Sequence, residues 1–205
     1  MWTVKAQEIS QKFNQRHIFE GISFEIQSGN SLVITGPNGS GKTTLIKIIC
    51  QLLRPTSGHL IIKNEENQID AHQIYPYLGL VGPYLQLYNN LSAFENYTFF
   101  ARIRSLPVDM KYFRQLMAQL GLKGREFDEL RTFSSGMLQR MKYVMAIMHK
   151  PRILILDEPT ANLDEAGSEI VYGIMELQKK ENILILATNE PEEVKFGEKK
   201  LVLHS

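Results

Sequence analysis

The stretch GPNGSGKT, residues 36–43, says most about the fold of this chain. It follows the apolar run at residues 32–34 and precedes a segment with helical apolar spacing, so it occupies a strand-to-helix turn. Its glycines let successive backbone N–H groups face one anionic centre, and the following helix N-terminus adds partial positive charge. In such a pattern the lysine reaches nucleotide phosphates and the next hydroxyl binds Mg²⁺. The stretch therefore predicts a phosphate loop in an α/β fold.

The residues predicted to bind ATP belong to this loop and the start of its helix: Gly36, Pro37, Asn38, Gly39, Ser40, Gly41, Lys42, Thr43 and Thr44. Lys42 is also expected to act in catalysis, and Thr43 to bind Mg²⁺. A plain glycine-rich turn is the alternative interpretation. That alternative leaves the full match to G-x-x-x-x-G-K-[ST] at a strand–helix junction unexplained.

A second site follows a later apolar run, RILILDE at residues 152–158. Asp157, at the end of this predicted buried strand, is expected to hold Mg²⁺ through water, and Glu158 to polarise an attacking water. Taken alone, adjacent carboxylates are most often a solvated strand end. Together with the phosphate loop they predict a site of nucleotide hydrolysis.

Composition gives no evidence for several classes of partner and anchor. Lys plus Arg number 23 against 22 Asp plus Glu, so charge gives no reason to expect nucleic acid as a partner. The single cysteine, Cys50, cannot form a disulfide within the chain, which agrees with a reducing compartment. No window reaches the ~20 apolar residues that span a bilayer. If the protein works at a membrane, we expect it to do so through other proteins.

The middle of the chain predicts three successive helices with no strand between them. Ser92 and Glu95 form a capping-box pattern, Asp109 can cap a second helix, and a third starts near Ser135. Beyond them, residues 152–187 read as strand, helix and strand, the pattern of a parallel βαβ unit. A helical lobe inserted in an α/β domain is the expected arrangement.

FSSGMLQR, residues 133–140, precedes the third helix, and its small residues Ser134, Ser135 and Gly136 suit a helix N-terminus that binds phosphate. By itself this segment reads as an ordinary helix cap. In this order and spacing it resembles the L-S-G-G-Q signature of ABC-type ATPases. ANLD, at residues 161–164, resembles their D-loop through Asn162, Leu163 and Asp164. The resemblance covers essentially the whole chain.

The resemblance implies a P-loop NTPase fold of the ABC-ATPase type, with a mostly parallel core sheet, an antiparallel β subdomain and an inserted α-helical lobe. Residues 1–205 would form one domain. Within it, residues 1–83 and 149–205 would make the RecA-like α/β core with the antiparallel subdomain. Residues 84–148 would make the lobe that carries the signature.

The resemblance also implies a head-to-tail dimer in which each ATP lies between the phosphate loop of one subunit and the signature of the other. Ser134 and Gly136 would then touch the γ-phosphate of ATP bound to a partner subunit. Phe13 corresponds to the aromatic residue, usually Tyr, that stacks on adenine in the family, and stacking needs only a π face. The alternative for Phe13 is an ordinary apolar strand residue.

Two positions depart from the family pattern. Asn189 stands where members carry a His that bonds the γ-phosphate; an amide can donate one hydrogen bond but cannot carry or shuttle a proton near neutral pH. We interpret it as a reduced γ-phosphate sensor, with a turn cap before Pro191 as the alternative. Pro83 stands where a Gln would contact Mg²⁺. Gln86 could replace that Gln if the loop shifts, or it could simply face solvent. Slow turnover of the isolated protein is therefore expected, although Glu158 is present.

We expect from these features a free-standing ATP-binding subunit, peripheral on the cytoplasmic face of the inner membrane, that works with multi-span permease subunits. It would dimerise with itself or with a related ATPase chain. The aromatic residues between 84 and 100 suit contact with the permease, and packing in the core of the lobe is the alternative for at least half of them. Within the family, LSAFEN at residues 91–96 and the segment at residues 19–44 look most like the ATPase subunit of bacterial haem exporters of cytochrome c biogenesis.

Two other classes of protein share part of this sequence pattern. A soluble kinase or GTPase could share the phosphate loop, but the sequence has no N-K-x-D base-reading motif and the signature would be unexplained. A non-transport ABC protein, acting as an ATP-gated clamp or regulator with weak or no hydrolysis, stays open because of Pro83 and Asn189.

Overall fold

The computed structural model describes residues 1–65 and 67–204. Along the chain the regular elements are β1 Trp2–Phe13, β2 Arg16–Gln27, β3 Ser31–Thr35, α1 Lys42–Ile49, β4 Ser57–Asn64, β5 Asn67–Gln68, β6 Leu78–Val81, α2 Ala93–Ile103, α3 Met110–Gln119, α4 Ser135–Ile147, β7 Ile153–Asp157, α5 Glu165–Glu181, β8 Ile183–Ala187, α6 Pro191–Val194 and β9 Lys199–Val202.

Five strands form a central sheet in the order β6-β7-β8-β3-β9, and each pairing in it is parallel. Its middle strands are continuous apolar runs because both of their faces are buried. In β7, Leu154 and Leu156 pack towards the helical lobe, whereas Ile153 and Ile155 pack towards α1 and the second sheet. The carboxyl ends of β3, β7 and β8 meet at one edge, which positions the site described below.

A second, antiparallel sheet has the order β2-β1-β4-β5. Val4 of β1 pairs with Ile26 of β2 on one side and with Ile62 of β4 on the other, and all three are fully or almost fully buried. This row of apolar side chains forms one core with α1 and with the face of the parallel sheet that points away from the helical lobe. The β1–β2 hairpin lies beside the phosphate loop, since Ile18 is close to Gly41.

Three helices between β6 and β7 form the lobe, and each starts at a residue whose side chain caps it. The Ser92 hydroxyl accepts from the Glu95 N–H at 3.2 Å, and the Glu95 carboxylate accepts from the Ser92 N–H at 2.8 Å. Asp109 accepts from two N–H groups of α3, and Ser134 from the Met137 N–H at the start of α4. The lobe buries its apolar stripes against one another and against the parallel sheet.

This arrangement confirms the predicted fold class: a parallel core sheet, an antiparallel sheet and a set of helices between β6 and β7. Within residues 1–65 and 67–204, no helix is long and apolar enough to cross a bilayer.

Candidate nucleotide site

The phosphate loop connects β3 to α1, and two of its glycines are required by close contacts. Gly36 has φ +148, and a Cβ on it would lie 2.4 Å from the Leu203 carbonyl oxygen. Gly41 has φ +96, and a Cβ there would lie 2.5 Å from Cγ2 of Ile18. Both conformations are costly for a residue with a side chain. The loop therefore runs tightly over the sheet edge, with its backbone close to any ligand placed there.

α1 begins directly at this loop, with Gly41 as its N-cap and no side chain capping its first N–H groups. Lys42, 9% exposed, places its ammonium 2.7 Å from the Gly36 carbonyl oxygen and 3.3 Å from that of Pro37. A bare helix N-terminus, a glycine cradle and a buried ammonium together fit an anionic phosphate chain. These observations suit a nucleoside triphosphate at this position.

The pair predicted to bind Mg²⁺ is in direct contact. The Thr43 hydroxyl donates to Oδ2 of Asp157 at 2.7 Å, across the gap between α1 and the end of β7. Burial raises the pKa of the Asp157 carboxyl and the adjacent Glu158 adds to this, while the Thr43 hydrogen bond and the charges of Lys42 and Lys47 oppose it. In the described part of the chain no three His, Cys, Asp or Glu side chains cluster as metal ligands. Two protein oxygens suit Mg²⁺, which takes its other ligands from phosphates and water.

Glu158 and Asn189 lie at the ends of neighbouring strands, around a cavity of about 530 Å³. Glu158 has φ +53, a left-handed conformation, and its N–H donates to the Ala187 carbonyl at 3.0 Å. Asn189 accepts at Oδ1 from the Gly36 N–H at 3.2 Å, which ties the end of β8 to the phosphate loop. The amide nitrogen of Asn189 can therefore donate to a phosphate oxygen. The full lining is Asn38, Lys42, Glu158, Thr160, Ala161, Asn162, Thr188, Asn189, Glu190 and Glu193.

A second cavity of about 420 Å³ lies on the other side of the loop, between it and the β1–β2 hairpin. Its lining is Arg16, Ile18, Asn38, Gly39, Gly41, Lys42, Thr43, Thr44, Asp157 and Glu158. Among the described hairpin residues, Arg16 and Ile18 line this cavity. Phe13 pairs with Arg16 across the hairpin turn and is 46% exposed, so its ring is accessible beside the cavity rather than in its wall.

The signature residues lie at the N-terminus of α4 and line neither cavity. Ser134 and Ser135 are exposed, and Ser134 is the N-cap of α4. Gly136 packs against the D-loop, where a Cβ on it would lie 3.0 Å from the Asn162 carbonyl oxygen. In the D-loop itself, Leu163 bonds back to Thr160, and Asp164 caps α5 by accepting from the Gly167 N–H at 2.8 Å. The structure thus brings signature and D-loop into contact.

The loop after β6 contains the two residues considered in place of the family's Gln. Pro83 and Gln86 are both exposed, and Gln86 lines neither cavity. Tyr84 instead folds inward with a buried hydroxyl that has no hydrogen-bond partner among the described residues. Burial raises the pKa of Tyr84, and the nearby Cys50 thiol and Asp157 carboxylate add to this. The charge of Asp157 thus influences the pKa of Tyr84, whereas Gln86 faces solvent.

Several residues of the site were not identified by sequence reasoning. Arg16, Thr160, Glu190 and Glu193 line the cavities, and the pKa of Tyr84 is influenced by the charge of Asp157. None belongs to a motif with its own chemistry. Of these residues, Thr160 could have been identified from its position, because it lies two residues after Glu158 in the segment that leads to the D-loop.

Comparison with known proteins gives one family. The family model described as "ABC transporter" matches residues 19–161. The uncharacterized ABC transporter ATP-binding protein YdbJ of Bacillus subtilis is 34% identical over 87% of this chain, which spans 58% of YdbJ. The cytochrome c biogenesis ATP-binding export protein CcmA of Nitrosomonas europaea is 28% identical over 87% of the chain and 84% of its own length.

A solved structure of an ATP-binding cassette, a dimer in a post-hydrolysis state bound to ADP and phosphate, has the same fold. Its TM-score is 0.83 at 22% identity, with 98% of this chain and 94% of that chain covered. The fold, the phosphate-loop geometry and the family match agree, and they confirm the family predicted from the motifs. The chain belongs to the ABC transporter family, as one of its ATP-binding domains.

Proposed function

We propose that this chain binds ATP with Mg²⁺ and hydrolyses ATP as one half of a head-to-tail dimer that drives transport through membrane proteins. The observation that supports this most is the convergence of Lys42, the Thr43–Asp157 pair, Glu158 and Asn189 on the two cavities beside the phosphate loop. Phosphoryl transfer depends chiefly on positioning and charge stabilisation, and these side chains supply both.

Each side chain has a separate task in this proposal. Lys42 and the N–H groups of the loop and of α1 bind the phosphates and hold them in one orientation. Mg²⁺, held near Thr43 and Asp157, would neutralise charge on the phosphates. Glu158 orients a water molecule and accepts its proton, and the amide of Asn189 donates to the γ-phosphate. Phe13 stacks against the adenine from the rim of the hairpin.

The position of the signature residues outside both cavities supports the dimer. Ser134 and Ser135 are exposed at a helix N-terminus and line neither cavity of their own chain, so they are available to a nucleotide on another chain. The related cassette in a post-hydrolysis state is itself dimeric. The partner would be a second copy of this chain or a related ATPase chain.

Membrane partners are supported by the exposed apolar surface of the lobe. Tyr88, Phe99 and Ile103 lie on or beside α2 with 49%, 37% and 65% of their surface exposed. Aromatic and aliphatic side chains of this kind are enriched where proteins dock. We propose that permease subunits bind here and hold the protein at the cytoplasmic face of the inner membrane. The similarity to CcmA supports export, with a haem-exporter complex as the narrower form of the proposal.

The test is ATP turnover by the purified chain over a range of protein concentrations, with Glu158→Gln as the inactive variant. We expect turnover per chain to rise with concentration and Glu158→Gln to abolish it while leaving ATP binding intact. An ATP-gated clamp or regulator is the second candidate, and Asn189 in place of a titratable side chain favours it. Tight ATP binding and dimerisation without turnover, even with membrane partners added, would establish that candidate instead.

A further inference from the structure

Three buried side chains from two helices converge on the turn formed by Pro159 and Thr160. The Pro159 carbonyl accepts from the Tyr143 hydroxyl at 2.9 Å and from Nε2 of Gln139 at 3.3 Å. Oε1 of Glu193 accepts from the Thr160 N–H at 3.0 Å and from the Thr160 hydroxyl at 2.5 Å. The turn directly follows Glu158, so whatever holds the turn also holds the backbone of that carboxylate.

Glu193 is, with Asp157, one of two buried acidic residues among those that the structure describes. It is 1% exposed, and its second carboxylate oxygen, Oε2, is buried without a hydrogen-bond partner among the described residues. It also lines the cavity shared by Lys42 and Asn189. Burying a carboxylate carries a large desolvation cost, which is tolerated only where specific contacts compensate for it. Here the compensating contacts are the two bonds from Thr160.

The elements that meet at this turn are the parts of the site that lie far apart in sequence. α4, which supplies Gln139 and Tyr143, begins at the signature and touches the D-loop again where Gly136 meets Asn162. α6, which supplies Glu193, follows Asn189, and Asn189 is bonded to the phosphate loop. The turn therefore joins the signature helix, the segment from Glu158 to the D-loop, and the end of β8.

We propose that Glu193 is a positioning residue that locks the Pro159–Thr160 turn, and thereby sets the Glu158 carboxylate and the D-loop relative to Asn189 and the signature helix. The proposal rests on the proposed ATP hydrolysis. Glu158 adopts a left-handed backbone conformation, φ +53, which neighbouring contacts must maintain. Without Glu193 the turn would lose both of its bonds to α6, and Glu158 would lose the orientation that hydrolysis needs.

The chain supplies a matched control one residue away. Glu192 is on the same short helix, but its side chain is 66% exposed and it pairs only with Lys195 among the described residues. Four variants are compared with the unmodified chain: Glu193→Ala, Glu193→Gln, Thr160→Val and Glu192→Ala. The Gln side chain retains an oxygen that can accept from Thr160, whereas Ala retains none.

Two measurements are made on each variant. The first is steady-state ATP turnover, with kcat separated from KM and from the Kd of a non-hydrolysable ATP analogue. Glu193→Ala should lower kcat on the order of 100-fold, as expected for a misplaced catalytic group, with KM and Kd within about twofold. Glu193→Gln should recover most of kcat, and Glu192→Ala should match the unmodified chain.

The second measurement is hydrogen exchange of the amides of residues 160–164 in nucleotide-free protein, which needs no catalysis. Glu193→Ala should speed this exchange by about tenfold or more, because a bond to a charged group is lost, and Glu193→Gln should speed it less. If Glu193→Ala does not fold, Thr160→Val carries the test, since it removes only the hydroxyl contact and should lower kcat with Kd unchanged.

The outcomes separate this proposal from the proposed function. Normal kcat and normal exchange in Glu193→Ala would overturn the positioning role, as would lower thermal stability with kcat unchanged. A kcat loss in Glu193→Gln equal to that in Glu193→Ala would also overturn it. If the unmodified chain does not hydrolyse ATP, the hydrolysis proposal fails, while the exchange measurement still decides whether Glu193 holds the turn.

Discussion

Replacing Asn189 by Asp tests how the end of β8 senses the γ-phosphate. Oδ1 of Asn189 accepts from the Gly36 N–H at 3.2 Å, so the amide nitrogen is the group that can donate to a phosphate. Aspartate has nearly the same shape and keeps an oxygen for Gly36. It replaces the donor by a second oxygen and adds a negative charge. The substitution therefore changes the contact to phosphate and leaves the contact to the loop.

The size of the effect follows from the strength of one hydrogen bond to a charged group, about 1.5–3 kcal/mol. At 1.4 kcal/mol for each factor of ten, losing that bond in the transition state lowers kcat about 10- to 150-fold. This loss of kcat is expected for Asn189→Ala. Asn189→Asp should have a lower kcat than Asn189→Ala because the new charge repels the phosphate. Asn189→His should have a higher kcat than the unmodified chain because imidazolium donates with a positive charge.

The assay is ATP turnover at saturating ATP and Mg²⁺, with protein at a concentration where turnover per chain no longer rises. Asn90→Asp makes the same change of side chain on an exposed loop outside both cavities, so it serves as the matched control. Turnover should fall in the order His, Asn, Ala, Asp at position 189. If Asn189→Asp turns over as fast as the unmodified chain, Asn189 does not donate to the γ-phosphate and only caps the turn.

Three further outcomes are expected. Burial and the nearby Arg104 lower the pKa of His149 from 6.5 to about 4, so the folded protein disfavours the charged ring. The free energy of unfolding should therefore be highest above about pH 6.5 and decline as the pH falls towards 4, and thermal unfolding of His149→Gln should show a smaller decline over this range. Gly41→Ala should lower the free energy of unfolding, measured with urea, by more than the ~1–2 kcal/mol cost of a left-handed residue, because its Cβ would lie 2.5 Å from a carbon of Ile18. Gly39→Ala, with φ +84 and no atom within 4 Å of the added Cβ, should lower it by less. Phe13→Ala should weaken ATP binding about two- to tenfold by titration calorimetry, while Phe13→Tyr should not; equal affinities in all three would remove Phe13 from the adenine site.

Much of the fold could be predicted from the sequence because its signals are local. The apolar runs of β7 and β8 are continuous since both faces of a parallel sheet are covered, and Ser92 and Asp109 cap helices through residues within one turn. The order of phosphate loop, signature and the strand ending in Asp157 identified the family, which the comparisons confirm. The residue roles within the site stay predictions for the experiments above.

The loop after β6 could not be predicted, because contacts distant in sequence determine its path. Counting along the sequence placed Pro83 at the position of the family's Gln and left open whether Gln86 enters the magnesium site or faces solvent. In the structure Gln86 is exposed, Lys142 of α4 bonds to the Gly82 carbonyl at 3.3 Å, and the Tyr84 ring folds back against Gly82. No local pattern distinguishes these outcomes, since each depends on where α4 lies.

The sequence by itself determined the phosphate loop, the three lobe helices, the strand–helix–strand unit after them and the family, because apolar periodicity, glycine and capping residues act over a few neighbouring residues. Only the tertiary structure decided which side chains share the site. Glu192 and Glu193 are identical neighbours in an acidic stretch, yet one faces solvent and the other is buried against Thr160. Their different exposure follows from how α6 packs on the Pro159–Thr160 turn. This contact joins the segment after β8 to the segment after β7, which are distant in sequence, so no local pattern predicts it.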